Sequence, residues 1–304
     1  DTPSNAKRFL DIVKPKIAVF AKYDYWYYYL TFLKQREIPT YIVSAIFRGN
    51  QPFFKRWGGL FREMLGCFTT LYLQNEESRV LLEGIGVRNV VVAGDSRFDR
   101  VNDIVCGASK DNQIVSTFAE GKRCFVAGST WEEDEKNIAD VLEKSSFSLI
   151  LAPHEVYPDH ISAIKRIFSR YDVVSYSDNP SVEQLKKGRV LIVDCIGLLS
   201  SLYKYGEFAY IGGGFGAGIH NILEAATYGK GVIFGPNHNK FQEAKDLLAL
   251  KGAITYKESS ELYDVIAGWE SDIRSLENVS KISKKYVQQH IGASDIFLKE
   301  VFSL

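Results

Sequence analysis

F-A-Y-I-G-G-G-F-G-A-G-I-H-N-I-L-E-A-A-T-Y-G, residues 208–229, contains an apolar strand, five glycines within seven residues and then a helical segment. Glycines let the backbone approach a phosphate closely, and the N-terminus of a helix supplies unpaired N–H groups. We therefore expect an anion to bind at this turn. The spacing is neither G-x-G-x-x-G nor the Walker pattern, so neither a dinucleotide site nor a P-loop ATPase follows.

Polar residues open the helix after these glycines. His220 and Glu224 are four residues apart, which predicts one shared helical face, and an acid in the first turn could hold a ribose diol. The structural interpretation is a cap: Asn221 at the N-cap and Glu224 at N3 form a pair similar to a capping box. The two roles are compatible.

Outward from this stretch, runs of β-branched and aromatic residues alternate with segments of helical period, which predicts βαβ units and parallel sheets. The expected strands are 17–21, 40–46, 69–74, 89–93, 123–128, 147–152, 172–176, 189–194, 208–212, 231–235 and 253–256. The expected helices of the first half are 24–36, 52–65 and 76–84.

The length of 304 residues predicts two domains, 1–115 and 116–304, with the junction inside 107–122. The last helix is expected to pack back on the first domain. The first half has too few strands for a complete doubly wound domain, and Met64 is the only methionine. We therefore expect the first domain to be truncated at its start.

Composition excludes several classes of protein. Lys+Arg and Asp+Glu both number 37, which argues against a uniformly basic nucleic-acid binder. The four cysteines are scattered singly, so we expect small core residues in a reducing compartment and not a zinc site. No apolar run reaches the roughly 18 residues needed to span a bilayer. The histidine spacing predicts no metal site, and a G-x-S-x-G nucleophile is lacking.

Positive charge is nevertheless concentrated in the first part of the chain. Residues 1–62 carry eleven Lys/Arg against four Asp/Glu, and they include F-F-K-R-W-G-G-L-F-R at 53–62. As a helix, this segment would place its aromatic residues on one face flanked by cations, as interfacial membrane helices do. The alternative is a core-facing helix with a solvated basic rim.

Parallel sheets bind ligands at the carboxyl ends of their strands, and three further strand ends carry candidate residues. Gly128, Ser129 and Thr130 follow C-F-V-A and could donate to a phosphate, although a capping box from Ser129 to Glu132 or from Thr130 to Glu133 explains them equally well. The other candidates are His154 after L-I-L-A-P, and Asp194, Ile196, Gly197 and Leu198 in V-D-C-I-G-L. A lone histidine is usually structural, and Asp194 could simply cap a helix.

Taken together, these motifs resemble those of the 3-deoxy-D-manno-octulosonic acid (Kdo) transferases, two-domain glycosyltransferases of the GT-B fold. G-G-G-F-G-A-G-I-H-N-I-L-E-A-A at 212–226 is similar to that family's G-G-S-(loop)-G-G-H-N-x-L-E-P-A. G-P-N-H-N-K-F at 235–241 is similar to its G-P-H-x-x-N-F. A-G-S-T at 127–130, D-C-I-G at 194–197 and G-D-S-R-F-D-R at 94–100 also match in order.

The resemblance implies an α/β protein with two Rossmann-like doubly wound domains facing a cleft. Its implied activity is inverting, metal-independent transfer of Kdo from CMP-Kdo to a lipid A precursor, without a cofactor and without nucleic acid. The implied location is the cytoplasmic face of the bacterial inner membrane. The donor-binding residues would be Ser129, Thr130, Pro153, His154, Ile196, Gly197, Leu198, Gly213, Gly214, His220, Asn221, Ile222, Leu223 and Glu224. The acceptor and membrane residues would be Arg48, Phe53, Phe54, Lys55, Arg56, Trp57, Phe61 and Arg62.

The sequence departs from the family pattern at several positions. The family's Pro-Arg pair is Pro153-His154 here, its M-G-E-like turn is I-G-L at 196–198, and its E-T-E-x-W-P element is K-Y-D-Y-W-Y at 22–27. The implied general base lies upstream of Asp1, so we expect this chain to be severely impaired in transfer, with Asp24 as the candidate base inside it. Two alternatives are another GT-B transferase or epimerase that uses a UDP-sugar, and a non-catalytic nucleotide-binding or membrane-docking module.

Overall fold

The chain divides into two compact units in a computed structural model that describes residues 1–107 and 111–303. Unit 1 consists of Asp1–Arg100 together with His290–Leu304, and unit 2 consists of Val101–Gln289. The division falls at Arg100, inside the helix Ser96–Gly107, and not at the predicted residue 115. Residues 108–110 of the predicted junction lie outside the described residues.

Unit 1 contains a four-stranded parallel sheet in the order β1-β2-β3-β4. Its strands are β1 (Ala18–Ala21), β2 (Thr40–Ala45), β3 (Thr70–Leu73) and β4 (Val90–Val92). Its helices are α1 (Pro3–Val13), α2 (Tyr27–Gln35), α3 (Gly59–Leu65), α4 (Glu76–Glu83), the start of α5 (Ser96–Gly107) and, at the other end of the chain, α15 (Ala293–Phe302).

Unit 2 contains a seven-stranded parallel sheet in the order β11-β10-β9-β5-β6-β8-β7. Its strands are β5 (Cys124–Thr130), β6 (Ser148–Pro153), β7 (Val173–Ser175), β8 (Val190–Ile192), β9 (Phe208–Ile211), β10 (Gly231–Phe234) and β11 (Ala253–Thr255). Its helices are α6 (Gln113–Ala119), α7 (Glu132–Leu142), α8 (Pro158–Ile167), α9 (Val182–Lys187), α10 (Leu199–Leu202), α11 (Leu223–Thr227), α12 (Gln242–Ala249), α13 (Ser259–Ser271) and α14 (Ile273–Gln289).

The central strands of unit 2 explain why its sheet is parallel. Every residue of β6, β8, β9 and β10 is buried, as expected for strands that are covered by helices on both faces. The stacked rings of Phe125 and Phe208, 4.8 Å apart, join β5 to β9 and lie in the main core. The chain crosses from one side of β5 to the other between β8 and β9, which creates a topological switch at the centre of the sheet.

The predicted helix 52–65 is wrong. The structure has a 3-10 turn at Pro52–Phe54, a non-helical link, and then the short helix α3. The link passes so close to the turn that a Cβ atom on Gly58 would lie 2.0 Å from the Pro52 carbonyl oxygen. The aromatic residues therefore do not share one helical face, and Phe53 is a core residue of unit 1.

The last helix, α15, belongs to unit 1. The buried carboxylate of Asp99 accepts the backbone N–H groups of Gly292 and Ser294 at 2.6 and 2.7 Å, at the start of this helix. Tyr72 donates its hydroxyl to Glu300 at 3.0 Å, and its ring contacts Phe297 edge-on at 5.2 Å. Asp99 is part of the G-D-S-R-F-D-R motif, so one role of that motif is to attach α15.

Candidate functional site

The predicted donor-side residues meet at the carboxyl ends of β5, β6 and β9, next to the topological switch of unit 2. Ligands of open parallel sheets bind at such a position. The end of β6 is attached to the end of β5, because His154 donates its backbone N–H to the Thr130 carbonyl at 3.0 Å. The end of β9 is attached in the same way, because Gly212 donates to the Gly128 carbonyl at 2.9 Å.

The glycine-rich loop is packed backbone against backbone. A Cβ atom on Gly212 would lie 2.2 Å from the Ser129 carbonyl oxygen, and one on Gly214 would lie 2.6 Å from the Gly235 backbone. Gly213 has a φ of 90°, a backbone conformation that residues with a side chain rarely adopt. Its carbonyl accepts the N–H of Gly218 at 3.3 Å. These glycines are therefore required by the fold of the loop itself, whatever it binds.

One predicted anion donor is already engaged. Gly213 donates its N–H to the carboxylate of Asp134 at 2.9 Å, and the same carboxylate accepts from Trp131 N–H at 3.0 Å and Tyr210 hydroxyl at 2.7 Å. Tyr210 in turn lies 2.8 Å from the Tyr256 hydroxyl. Burial raises the pKa of Asp134, and the three hydrogen bonds counteract that rise in part. The Gly213 N–H is a structural donor and not a phosphate ligand.

The Thr130 hydroxyl is engaged as well. It donates to the buried carboxylate of Glu135 at 3.0 Å, so it is not the predicted phosphate donor, and the predicted box with Glu133 is not formed. His160 Nε2 lies 3.1 and 3.2 Å from the two Glu135 oxygens, while its Nδ1 lies 2.8 Å from the Glu155 carbonyl. A carbonyl only accepts, so Nδ1 carries hydrogen, and the Glu135–His160 pair must hold one further proton between them. Burial raises the pKa of Glu135.

The N-terminus of α7 has neither of the two predicted capping boxes. The residue at the N-cap is Trp131, and its partner at N3 is Asp134, which accepts the Trp131 N–H. Ser129 is left with a φ of 54° and partial exposure at the end of β5. Ser129 is thus the residue of the A-G-S-T motif whose side chain is not committed to these buried acids.

Three aromatic rings form a cluster above these strand ends. The exposed ring of His154 stacks on Trp131 at 4.7 Å and on His220 at 4.3 Å. Trp131 donates its indole N–H to His220 Nε2 at 3.2 Å. Burial, and then the neighbouring His154, lower the pKa of His220. The cluster brings together His154 and His220, which the sequence offered as candidate site residues in two different motifs.

The helix after the glycine loop is shorter than predicted. It begins at Leu223, so His220 and Glu224 do not share a helical face, and the N-cap is Ile222 and not Asn221. Asn221 still stabilises the turn: its Oδ1 accepts the Leu223 N–H at 3.1 Å, and its amide donates to Glu224 at 3.1 Å. The side chains of Ile222 and Leu223 are buried in the core.

The turn after β8 comes back over β5. Leu199 and Tyr203, which follow the turn, would lie 2.6 and 2.2 Å from a Cβ atom on Gly128. Burial raises the pKa of Tyr203, and the nearby Glu224 raises it further, so this segment lies close to α11.

Ile196 is 86% exposed and Gly197 has a φ of 94° in open space. Pro153 is a buried residue of β6, while Leu198 and Gly214 line the same edge of the sheet.

Asp194 has a different role from the predicted helix cap. Its two carboxylate oxygens accept the backbone N–H and the hydroxyl of Ser177 at 2.9 and 2.6 Å. These bonds join the end of β8 to the turn after β7. The sequence could not distinguish this pairing from a cap, because Ser177 is far from Asp194 along the chain.

In unit 1, Asp24 is exposed and lines a cavity of about 480 Å³ beside β1 together with apolar residues such as Phe9 and Trp26. Among the predicted membrane residues, Trp57 is 69% exposed and Arg56 is exposed, whereas Phe53 is buried. The remaining ones, Phe54, Lys55, Phe61 and Arg62, are partly buried, and Arg48 is exposed. The Arg62 guanidinium donates to the carbonyls of Phe53 and Lys55 at 3.0 and 2.9 Å.

The four cysteines are free thiols, but they are not all core residues as predicted. Cys124 is buried, Cys67 and Cys195 are half-buried, and Cys106 is exposed. Within residues 1–107 and 111–303, no group of three or more His, Cys, Asp or Glu side chains is arranged to hold a metal ion. Over the same ranges, helices that could cross a membrane are not found.

The sequence analysis missed Trp131, Asp134, Glu135, His160 and Tyr210. The only available signal was the run W-E-E-D-E, which reads as acids favoured by the first turn of a helix. Two of these acids are turned into the interior and two remain exposed. The local sequence does not distinguish the two buried acids from the two exposed ones.

Comparison with known proteins agrees with the motifs. Residues 1–100 match the family model described as 3-Deoxy-D-manno-octulosonic-acid transferase (kdotransferase). A 3-deoxy-D-manno-octulosonic acid transferase from Rickettsia bellii is 25% identical over 96% of this chain and 71% of its own length. One from Aquifex aeolicus is 26% identical over 94% of this chain and 73% of its own length. A bifunctional glycosyltransferase/methyltransferase from Fusobacterium nucleatum is 24% identical over 99% of this chain and 47% of its length.

Solved structures share the fold at lower identity. The C-terminal CMP-Kdo binding domain of WaaA from Acinetobacter baumannii has a TM-score of 0.50 and 17% identity, over 63% of this chain and 97% of that one. UDP-GlcNAc 2-epimerase from Neisseria meningitidis has a TM-score of 0.69 and 16% identity, over 99% of this chain and 80% of that one. The motifs, the family match and the fold agree: the chain has two Rossmann-like units and the GT-B fold, and it is similar in sequence to Kdo transferases over most of its length.

Proposed function

We propose that this chain moves Kdo from CMP-Kdo to a hydroxyl of a lipid A precursor, with inversion, and that unit 2 binds the donor. The family relationship supports glycosyl transfer in lipopolysaccharide biosynthesis. The observation that carries the donor assignment is the convergence of Ser129, His154 and His220 at the carboxyl edge of β5, β6 and β9. A CMP phosphate placed there would meet a hydroxyl and imidazole groups, while Glu224 and Asn221 would lie toward the ribose.

The proposed reaction is a single displacement. The acceptor hydroxyl oxygen forms a bond to the anomeric carbon of Kdo as the bond from that carbon to the CMP phosphate oxygen breaks. CMP leaves with the electron pair of the broken bond, and the hydroxyl proton passes to a base. Donors at the leaving phosphate stabilise the charge that develops there. We propose no metal or cofactor in this step.

A general base must accept the proton of the acceptor hydroxyl. Asp24 is the candidate among these residues because it is exposed beside a cavity in unit 1. General-base catalysis contributes roughly 10²–10⁴-fold, so a chain that lacks its base would be slowed by that factor. Asp24→Asn is therefore expected to slow transfer by that factor, and an unchanged rate in a transfer assay would exclude Asp24 as the base.

The first experiment is calorimetric titration of the protein with CMP, UMP and UDP. We expect CMP to bind more tightly than UMP or UDP, because the donor is a CMP-sugar. Selective UDP binding would instead support a UDP-sugar enzyme, the alternative favoured by the fold similarity to the epimerase from Neisseria meningitidis. Binding of CMP without any transfer after addition of acceptor would support a nucleotide-binding module.

Replacing Glu224 by glutamine tests the ribose contact. If the carboxylate holds the ribose diol, Glu224→Gln is expected to weaken CMP binding by about tenfold, which corresponds to the loss of one charge-assisted hydrogen bond. The melting temperature should change little, because the glutamine oxygen can still accept from the Asn221 amide. A lowered melting temperature with unchanged CMP affinity would mean that Glu224 is only a structural cap.

We further propose that unit 1 contacts the membrane through a small surface, the Trp57 surface, consisting of Trp57, Leu60, Lys55 and Arg56. Trp57 and Leu60 are 69% and 51% exposed. Aromatic and aliphatic side chains next to cations are typical of an interfacial contact with anionic lipid. The proposal replaces the continuous amphipathic helix that the sequence predicted.

Changing Trp57 and Leu60 together to alanine is expected to weaken binding to anionic phospholipid vesicles by about tenfold, because apolar area leaves the interface. Vesicle sedimentation measures this. A matched control is Val80→Ala, since Val80 is 61% exposed on α4 among Glu76, Glu77 and Glu83. Equal losses in the two variants, or none in either, would exclude the Trp57 surface as the contact.

A further inference from the structure

The cluster of Trp131, His154 and His220 assigns different protonation roles to its two histidines. Trp131 Nε1 can only donate, so the hydrogen bond to His220 Nε2 requires an unprotonated Nε2. Neutral His220 therefore carries its hydrogen on Nδ1. Adding a proton to Nε2 would break the bond to Trp131 and would place a second charge beside His154.

His154 has the opposite environment. Its ring is exposed, and it stacks on the indole of Trp131 and on the imidazole of His220. An imidazolium above an indole face is favoured by the ring quadrupole, and a neutral His220 does not repel it. His154 is thus the ring of the cluster that can take a positive charge without breaking a hydrogen bond of the cluster.

Several other ionisable groups lie near the cluster, on the start of α7, the segment after β6 and the turn into α11. The start of α7 carries Glu132, Glu133, Asp134 and Glu135, the segment after β6 carries Glu155, Asp159 and His160, and the turn into α11 carries Glu224. Asp134 and Glu135 are buried and hydrogen-bonded, and His160 is bonded to Glu135 and to the Glu155 carbonyl. Asp134, Glu135 and His160 are thus held by hydrogen bonds, whereas the exposed ring of His154 is held in the cluster by stacking.

We propose that Trp131 is a positioning residue that keeps His220 neutral, and that His154 takes up one proton when the phosphate of the nucleotide binds. This inference rests on the proposed donor site and adds its regulation: binding strengthens as the pH falls. It also gives a role to Trp131, which sequence analysis did not select.

The test is calorimetry with the methyl phosphodiester of CMP, whose phosphate does not titrate near neutrality, at about pH 5.5 and about pH 8. Wild-type affinity is expected to be three- to tenfold higher at the lower pH, roughly the effect of one partly exposed charge-assisted contact. Repeating the titration in two buffers of different ionisation enthalpy should show net uptake of protons at intermediate pH. His154→Gln should abolish both effects, and His154→Arg should bind tightly at both pH values.

Trp131→Phe separates the positioning role from stacking, because phenylalanine keeps an aromatic face and removes the indole N–H. The ¹⁵N chemical shifts of His220 should report the Nδ1–H tautomer in the wild type and a mixture of tautomers in the variant. Affinity that is the same at both pH values in the wild type would overturn the inference while leaving the donor site intact. Absence of phosphodiester binding at both pH values would overturn the inference, and absence of CMP binding as well would overturn the proposed function.

Discussion

Replacing Gly212 by alanine is expected to lower the free energy of unfolding by about 3 kcal/mol, the upper end of the usual cost of overpacking. The new Cβ would lie 2.2 Å from the Ser129 carbonyl oxygen and 2.6 Å from the Thr130 Cα, and neither backbone atom can rotate away. Relief requires the ends of β5 and β9 to separate at the Gly212–Gly128 hydrogen bond. Urea denaturation measures the loss.

The same loop provides the control. Gly216 is exposed, and the nearest atom to its added Cβ would be the Gly213 carbonyl oxygen at 3.8 Å, an ordinary contact. Gly216→Ala should therefore leave the free energy of unfolding within about 0.5 kcal/mol of wild type, as for most surface substitutions. A destabilised Gly216→Ala, or a Gly212→Ala protein as stable as wild type, would contradict the backbone packing described for the loop.

Removing the Asp134 carboxylate is expected to have a comparable effect. Asp134→Ala leaves the N–H groups of Gly213 and Trp131 and the Tyr210 hydroxyl without their acceptor, at about 1–3 kcal/mol for each buried group that stays unpaired. We expect a total loss of about 3 kcal/mol or more in the free energy of unfolding, together with loss of nucleotide binding, since the glycine loop is attached through this residue.

Asparagine is the matched comparison. Its oxygen can accept both N–H groups, and its amide can donate to the Tyr210 oxygen, provided that Tyr210 donates to Tyr256, which lies 2.8 Å away. Asp134→Asn should therefore cost only about 1 kcal/mol. If the alanine and asparagine variants are equally unstable, the negative charge and not the hydrogen-bond set matters.

The difference in folding stability between wild type and Asp134→Asn should depend on pH. Burial raises the pKa of Asp134, so the folded protein binds this proton more readily than the unfolded chain. The stability that this proton contributes is complete below the ordinary aspartate pKa of about 3.9 and is lost as the pH rises through the raised value. The stability difference between wild type and Asp134→Asn should consequently shift in favour of the asparagine variant as the pH rises.

The strands were predictable because their signal is local. All eleven predicted strands are confirmed, from Ala18–Ala21 to Ala253–Thr255, with ends that differ by at most two residues. Buried parallel strands are continuous apolar runs between polar segments, and that pattern can be recognised without knowledge of the tertiary contacts. The prediction of two domains came from the length of the chain, and the GT-B fold was implied by the resemblance of the motifs; solved structures share that fold.

The errors arose where tertiary contacts override the local pattern. Phe53 and Phe61 have helical spacing, but the contact of Gly58 with the Pro52 carbonyl breaks the segment. At the proposed site, Ser129, His154 and His220 were named from the sequence and lie at one edge of the sheet, whereas the hydrogen bonds of Thr130 and Gly213 to Glu135 and Asp134 were not predicted. The Gly213–Asp134 pairing joins residues that follow different strands, and the spacing along the sequence carries no information about it.

The attachment of α15 to unit 1 affects the order in which the chain can fold during synthesis. Unit 1 includes His290–Leu304, which are synthesised after unit 2, whereas unit 2 is a continuous stretch that is complete at Gln289. Domains usually fold in the order of synthesis, N-terminal first. The bonds of Asp99 to Gly292 and Ser294 can form only after unit 2 has been synthesised, so unit 1, although it precedes unit 2 along the chain, is completed after it.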